Sequence, residues 1–194
     1  KLYEEAWEMG VLPDSNREAM VSPLPKKGQE TNTVNAYRPL SMLTVDFKIL
    51  SKILANRLSL LMRKLVHGDQ NSFIPARNTS LNLRRLYRIM EETDVRLFPD
   101  AIVMSLDLEK AFDSLDWKFL KQVMRRMGLG GRWIRSVTLL YTEPQARVRT
   151  GKLILSKYQI YRGTQQGCPL SPLLFALAME PLVATLRKEV GIEE

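Results

Sequence analysis

Three observations predict a mixed α+β fold. Phe47, Leu50, Leu54, Leu58, Leu61 and Leu65 recur at three- and four-residue spacing over 46–66, the stripe of an amphipathic helix. The run Ile102-Val103-Met104-Ser105-Leu106 ends on Asp107 and reads as a short buried strand. Runs at 146–150 and 153–161, joined around Gly151-Lys152, read as a β-hairpin.

Taken in chain order, residues 1–20 read as a short helix and a loop. A polar connection follows from Leu24-Pro25-Lys26-Lys27-Gly28 to Asn35. On the 46–66 helix, Lys48, Lys52, Arg63 and Lys64 fall on other faces and are expected in solvent. A loop holding Gly68, Pro75 and Asn78 leads to a helix over 81–92, capped by Thr79 or Ser80. Its Leu83, Leu86 and Met90 are expected to face a core, with Arg84, Arg85 and Arg88 on a basic side. After the strand ending at Asp107, Asp116 caps a helix that runs to Met127 and stops at Gly128. A helix over 133–141 precedes the hairpin. The last helix starts with Ser171 as cap and Pro172 in its first turn, and Pro181 is expected to kink it or end its first half.

Composition narrows the function classes. The 194 residues are 45% hydrophobic, enough for a sizeable core, and suit one large domain or two small lobes. A net charge of +8 and a pI of about 9.7 favour a polyanionic partner such as nucleic acid. Cys168 and His67 are the only residues of their types, which excludes an internal disulfide and a Cys/His zinc site. A bound metal is therefore expected to be hard and oxygen-ligated, with Mg²⁺ the natural candidate. No apolar run reaches membrane-spanning length and the amino terminus does not resemble a signal peptide. An intracellular protein is expected, nucleus and cytoplasm being indistinguishable. The first residue is Lys1 rather than Met, so a fragment or processed product is expected.

Two segments carry chemistry. A carboxylate at a strand end, Asp107, suits a divalent-cation site for phosphate chemistry, and Phe112 follows five positions later. In Arg162-Gly163-Thr164-Gln165-Gln166-Gly167-Cys168-Pro169-Leu170-Ser171-Pro172, two glycines precede a helix start. Glycine permits positive φ and close approach of backbone to a ligand, and a helix start attracts phosphate.

Here the sequence resembles a family. The matching pieces are Ala36-Tyr37-Arg38-Pro39-Leu40-Ser41, the segment from Phe47 to Leu58, Asp69-Gln70-Asn71-Ser72-Phe73-Ile74-Pro75-Ala76-Arg77, the segment from Ser105 to Asp113, and the run from Gly163 to Phe175. Their order and wording are similar to the reverse transcriptase domain of non-LTR (LINE-type) retrotransposons, from about Ser22 onward. The resemblance implies a right-hand polymerase fold: helical fingers plus an incomplete antiparallel palm sheet over 22–194, with 1–21 an N-terminal extension. It implies RNA-directed DNA polymerisation with two Mg²⁺ ions, Mn²⁺ being a possible substitute, and RNA template, DNA primer and dNTP as partners. Asp107 matches the first metal-binding Asp, with the carbonyl of Leu108 a further ligand. Phe112 matches the residue under the nucleotide sugar. Arg38 matches an arginine on the triphosphate, with Lys26 assisting. Gly163, Gln166 and Gly167 match the loop against the nucleotide. Gln70, Phe73 and Arg77 match the segment that holds the template.

Three departures qualify the match. Gln165 stands where the family commonly has Arg or Lys, and Ser72 and Ala76 stand where it commonly has glycine. The sequence stops at Glu194 before the strand turn of the Ala-Asp-Asp type, which carries two more carboxylates. Glu109 is expected to alternate away from Leu108, and Asp113 and Asp116 to lie in the next turn, as poor substitutes. The competing reading is a retrotransposon remnant that is at most a basic RNA-binding fragment. A basic α+β domain with no nucleic-acid role is the blandest alternative. The 194-residue chain alone is expected not to polymerise, so primer extension with Mg²⁺ or Mn²⁺ should show no template-dependent synthesis; synthesis would overturn this.

Overall fold

The computed structural model describes residues 1–28, 30, 32–93 and 102–189. The expected connection over 24–35 includes positions 29 and 31, and the expected catalytic unit ends within 190–194; those positions lie outside the described residues.

A five-stranded sheet meets a set of helices. In chain order come α1 (Leu2–Met9), α2 (Asp14–Arg17), β1 (Glu18–Pro25) and β2 (Tyr37–Met42), then α3 (Val45–Leu65) and α4 (Ser80–Glu92). After α5 (Ala111–Ser114), α6 (Trp117–Arg126) and α7 (Gly131–Leu140) come β3 (Gln145–Thr150), β4 (Leu153–Ile154), β5 (Tyr158–Gln159) and α8 (Ser171–Glu189).

β1 is one of the two inner strands. It pairs antiparallel with β2, setting Leu24 opposite Arg38 and Val21 opposite Ser41. It pairs parallel with β3, setting Ala19 opposite Ala146 and Val21 opposite Val148. The sheet is therefore mixed, where a purely antiparallel one was expected. Ala19, Val21 and Ala146 bury small side chains between the paired backbones and form their own cluster with Val148 and Ile160. The second strand of the expected hairpin is broken. Arg149 pairs with Ile154, whereas Gln145, four residues back, pairs with Gln159, five residues on. That one-residue excess is a β-bulge, which splits 153–161 into β4 and β5.

The main core lies among the helices. Leu58 and Met62 of α3, Met124 of α6, Val137 of α7 and Leu174 and Leu177 of α8 are fully buried together. Each such side chain contributes about 1.5–3 kcal/mol through removal from water. Thr44 caps α3 by accepting from the Phe47 N–H at 3.3 Å. The buried face of α3 is Phe47, Ser51, Leu54, Ala55, Leu58 and Met62. Leu61 of the expected stripe is exposed, because the helix period carries the seam from 58 to 62.

Other expectations are corrected. Residues 102–108 form no strand; Ile102, Val103, Met104 and Leu106 are exposed and the segment has no ladder partner among the described residues. α4 buries no residue, so Leu83 and Met90 face solvent and Leu86 is only partly covered. Neither Thr79 nor Ser80 caps it; Asn78 Oδ1 accepts from the Ser80 N–H at 3.0 Å. Asp116 does cap α6, accepting from the Phe119 N–H at 2.8 Å. Ser171 is the first residue of α8 rather than its cap, and its hydroxyl donates to the Gln165 carbonyl at 3.1 Å. α8 runs unbroken through Pro181; its half before the proline is anchored by buried Leu174, Leu177 and Glu180, and the half after it buries no residue. No helix of the described residues is long and apolar enough to cross a membrane.

The seam on α3 gives a direct test. Leu58→Ala should cost about 2–5 kcal/mol in denaturant unfolding. Leu61→Ala should stay within about 0.5 kcal/mol. Equal costs would refute the seam.

Candidate functional site

A cleft of about 610 Å³ opens between the β1–β2 pair and the segment from 107 to 113. Lys26 and Arg38 line it from one side, and Asp107, Glu109, Lys110 and Asp113 from the other. Tyr158 and Gln166 line it as well. β2 carries Arg38 on an exposed strand position opposite Leu24. The Lys26 N–H donates to the Ala36 carbonyl at 2.8 Å, closing the β1–β2 connection and fixing the start of the Lys26 side chain. Neither Arg38 nor Lys26 pairs with a carboxylate among the described residues. Two free cations facing three carboxylates make a cleft that suits a phosphate-bearing ligand with a divalent cation.

The carboxylates sit where the sequence reading did not place them. Glu109 was expected on the side opposite Leu108, yet both line the cleft. Alternation requires a strand, and 102–108 is irregular. Asp113, set aside as a turn residue, lines the cleft and is half-buried. Lys110 takes a left-handed conformation at φ 50°, and its carbonyl accepts from the Asp113 N–H at 2.9 Å. That tight turn swings Asp113 back beside the segment it left. Burial lifts the Asp113 carboxyl above its ordinary range; a hydrogen bond from Gln166 and the charge of Lys110 partly offset this. Tyr158 is raised by burial and by the Asp113 charge. Nothing local in the sequence marks Tyr158, which arrives only through β5 pairing with β3. Asp107 is exposed, and no group of three acidic, His or Cys side chains close enough to ligate one ion occurs among the described residues.

The two glycines of the 163–167 loop approach protein, where a ligand was expected. Gly163 has φ 89°, and a Cβ there would lie 2.7 Å from the Asp113 carbonyl oxygen. Its N–H donates to Leu115 O and the Thr164 N–H to Phe112 O, both at 2.7 Å. Gly167 has φ 116°, and a Cβ would lie 2.6 Å from the Ser41 carbonyl oxygen. The Ser41 N–H donates to Gln166 O at 2.8 Å. Only Gln166 of this loop reaches the main cleft; Gly163 lines an adjoining cavity of about 220 Å³.

Phe112 does not line the cleft. Its ring lies 4.8 Å from Phe175 of α8 and 6.3 Å, edge-on, from Phe73. Phe73 belongs to the 67–78 loop, and that loop is tied down by its polar side chains. The Arg77 guanidinium donates to the carbonyls of His67, Gln70, Val66 and Arg63, closing the carboxyl end of α3. Gln70 Nε2 donates to Glu180 Oε2 at 2.5 Å. Glu180 is buried and also accepts from Arg187 at 2.6 Å. Asn71 bonds Asn82, and Arg85 pairs with Asp69 at 2.8 Å, which joins the loop to α4. Of the three expected template residues, Gln70 and Arg77 thus hold the loop itself, and Phe73 is the exposed one. Ala76 sits at φ 62°, the conformation that favours glycine.

The fold and this cleft define a class. The family model for reverse transcriptase (RNA-dependent DNA polymerase) matches residues 24–193, and the chain belongs to that family. Its relatives are retrotransposon proteins of the non-LTR kind. The chain is 33% identical to the transposon TX1 uncharacterized 149 kDa protein of Xenopus laevis, over 98% of this chain and 14% of that protein. It is 30% identical to the retrovirus-related Pol polyprotein from the type-2 retrotransposable element R2DM of Drosophila melanogaster, over 94% of this chain and 17% of the relative. It is 29% identical to the corresponding polyprotein from the type-1 element R2 of Nasonia vitripennis, over 80% of this chain and 15% of the relative. The chain thus spans about a seventh of these relatives.

The position of Asp113 predicts a pH effect. A carboxyl raised on folding costs stability once ionised, so the cost is absent below the unfolded value and grows as pH rises through the raised one. Asp113→Asn removes it. Unfolding midpoints should show the variant gaining on the parent from pH 3 to pH 7; a constant difference would contradict the burial.

Proposed function

We propose that the chain is the fingers and palm of a right-hand polymerase, residues 22–194, carrying out RNA-directed DNA synthesis as part of the polypeptide it belongs to. The observation that carries this reading is the convergence of Asp107, Asp113, Lys26, Arg38 and Gln166 on one cleft. The triphosphate of an incoming deoxynucleotide lies between the cations: Arg38 offers a fork of N–H donors to phosphate, and Lys26 adds a point charge. Gln166, held by Asp113, contributes a polar amide beside the nucleotide. Phe112, which the resemblance puts under the sugar, does not line the cleft; its ring is braced by Phe73 and Phe175 and supports the turn that carries Asp113. Through that ring, the RNA-holding loop and the nucleotide cleft share one support.

The metal requirement fits in kind. Mg²⁺ takes one or two carboxylates with waters and substrate phosphates rather than a full protein cage. Asp107 and the Leu108 carbonyl are hard oxygen donors of that sort, and Asp107, Glu109 and Asp113 line the same cleft. When bound, the metal activates a primer hydroxyl and neutralises the departing pyrophosphate. Asp107 anchors it, and Arg38 with Lys26 keep the phosphates in place for in-line attack.

A second reading has one observation behind it. Asp107 stands on an irregular, exposed segment, which suits RNA binding without catalysis. Template-directed incorporation by the intact polypeptide separates the two. Asp107→Asn should abolish incorporation, by more than about 100-fold. Arg38→Ala should raise the dNTP KM about 10- to 100-fold, the worth of a lost charged hydrogen bond. Undiminished incorporation by Asp107→Asn would refute the polymerase reading of this site.

A further inference from the structure

A second cleft, of about 520 Å³, lies among α1, α3 and α7. It is lined by Trp7, Leu54, Arg57, Arg132, Trp133 and Ser136, none of which lines the first cleft. Leu54 is a buried floor. Arg57 and Arg132 are both exposed, and neither has an ion pair or side-chain hydrogen bond among the described residues. No carboxylate lines the cleft. Trp7 is held in place by Arg135, which does not line the cleft: its guanidinium lies over the indole, 4.7 Å from the ring centroid, and donates to the Trp7 carbonyl at 2.6 Å.

We propose that this cleft binds single-stranded nucleic acid, a base stacking on the indole wall and its neighbouring phosphates seated on Arg57 and Arg132. Two unpaired guanidiniums facing one concavity repel each other unless an anion lies between them. Guanidinium forks match phosphate oxygens, and indole faces stack bases without sequence preference. An apolar helix would leave both cations without a partner, and an acidic peptide would make no use of two indoles. The inference stands whether or not the first cleft polymerises, since it shares no residue with it.

The test is equilibrium titration of the full chain with a labelled 12-nucleotide single-stranded RNA, at 50 to 200 mM salt. Single-stranded DNA of the same sequence and a duplex serve as further arms. Losing two phosphate contacts in Arg57→Gln/Arg132→Gln should reduce the slope of log K against log salt by about 1.4, at about 0.7 per phosphate on a single strand. Trp7→Leu keeps apolar bulk and removes the stacking face, and should weaken binding roughly 5- to 150-fold. Lys26→Gln/Arg38→Gln, at the first cleft, should leave both of those losses intact. Equal affinity for RNA and DNA single strands supports the proposal, and preference for duplex opposes it. An unchanged slope in the double arginine variant would overturn it. So would an acidic peptide that displaces the RNA and binds the Trp7→Leu variant as tightly as the parent, which assigns the cleft to a protein partner.

Discussion

The site depends on a place where backbones meet too closely for any side chain. Gly163 lies against the Asp113 carbonyl and Gly167 against that of Ser41, each at a distance no Cβ tolerates. The loop between them thereby ties the α5 turn to β2, two parts of the chain more than seventy residues apart. Three backbone hydrogen bonds, to Leu115, to Phe112 and from Ser41, complete the tie. Without it nothing brings the Arg38 strand face to the Asp113 carboxyl, and Gln166 has no position from which to reach it. The glycines shape the walls of the cleft through backbone contacts alone. Their conformational freedom matters twice, since both also sit at positive φ.

The same logic of mutual support extends along the Phe73, Phe112 and Phe175 rings. The 67–78 loop cannot hold an RNA strand unless it is itself held. Arg77 closes the end of α3, Gln70 reaches the buried Glu180, and Asp69 and Asn71 meet α4. Glu180 and Arg187 form a largely buried pair with one guanidinium nitrogen unpartnered among the described residues. Breaking such a pair from one side strands a charge and is costly. Polar residues that a sequence reading assigns to a ligand are, in this loop, mostly the means by which the loop keeps its shape.

Legibility followed the range of the interactions involved. Helices α3, α6 and α8 were readable from local signals: the apolar period of α3, the Asp116 cap and Gly128 stop of α6, and Pro172 in the first turn of α8. Asp107, Arg38, Lys26 and Gln166 were readable from motif wording and line one cleft. β1 and β2 were missed because Pro23, Pro25 and Pro39 break the pattern expected of strands, yet Pro23 faces Pro39 and Pro25 faces Tyr37 near the connected end of the pair. Glu109 was discounted by assuming strand alternation, which fails without a ladder, and Asp113 was discounted as a turn residue, although the turn closed at Lys110 is what brings it back to the cleft. Arg132 and Trp7 lie outside every matching segment, and Arg57, inside the one from Phe47 to Leu58, carried no role. Only the packing of α7 against α1 and α3 gathers them.

Residues 102–108 show why a buried-strand pattern and a strand are different things. An apolar run becomes a strand only where a neighbour accepts its hydrogen bonds and covers a face, and among the described residues none does. Ile102, Val103, Met104 and Leu106 together leave burial energy of about 1.5–3 kcal/mol apiece unrealised. Two of the cleft's three carboxylates, Asp107 and Asp113, are therefore unequally determined. Asp113 is set by the Lys110 turn, the Gly163 contact and Gln166, all internal to the fold. Asp107 is set by a segment whose side chains still face water. Any catalytic geometry must bring Asp107 to the fixed frame that Asp113 and Arg38 already define. The Asp113 and Arg38 side of the cleft is thus built by this chain's own packing, while Asp107 stands on a segment that no neighbour among the described residues covers.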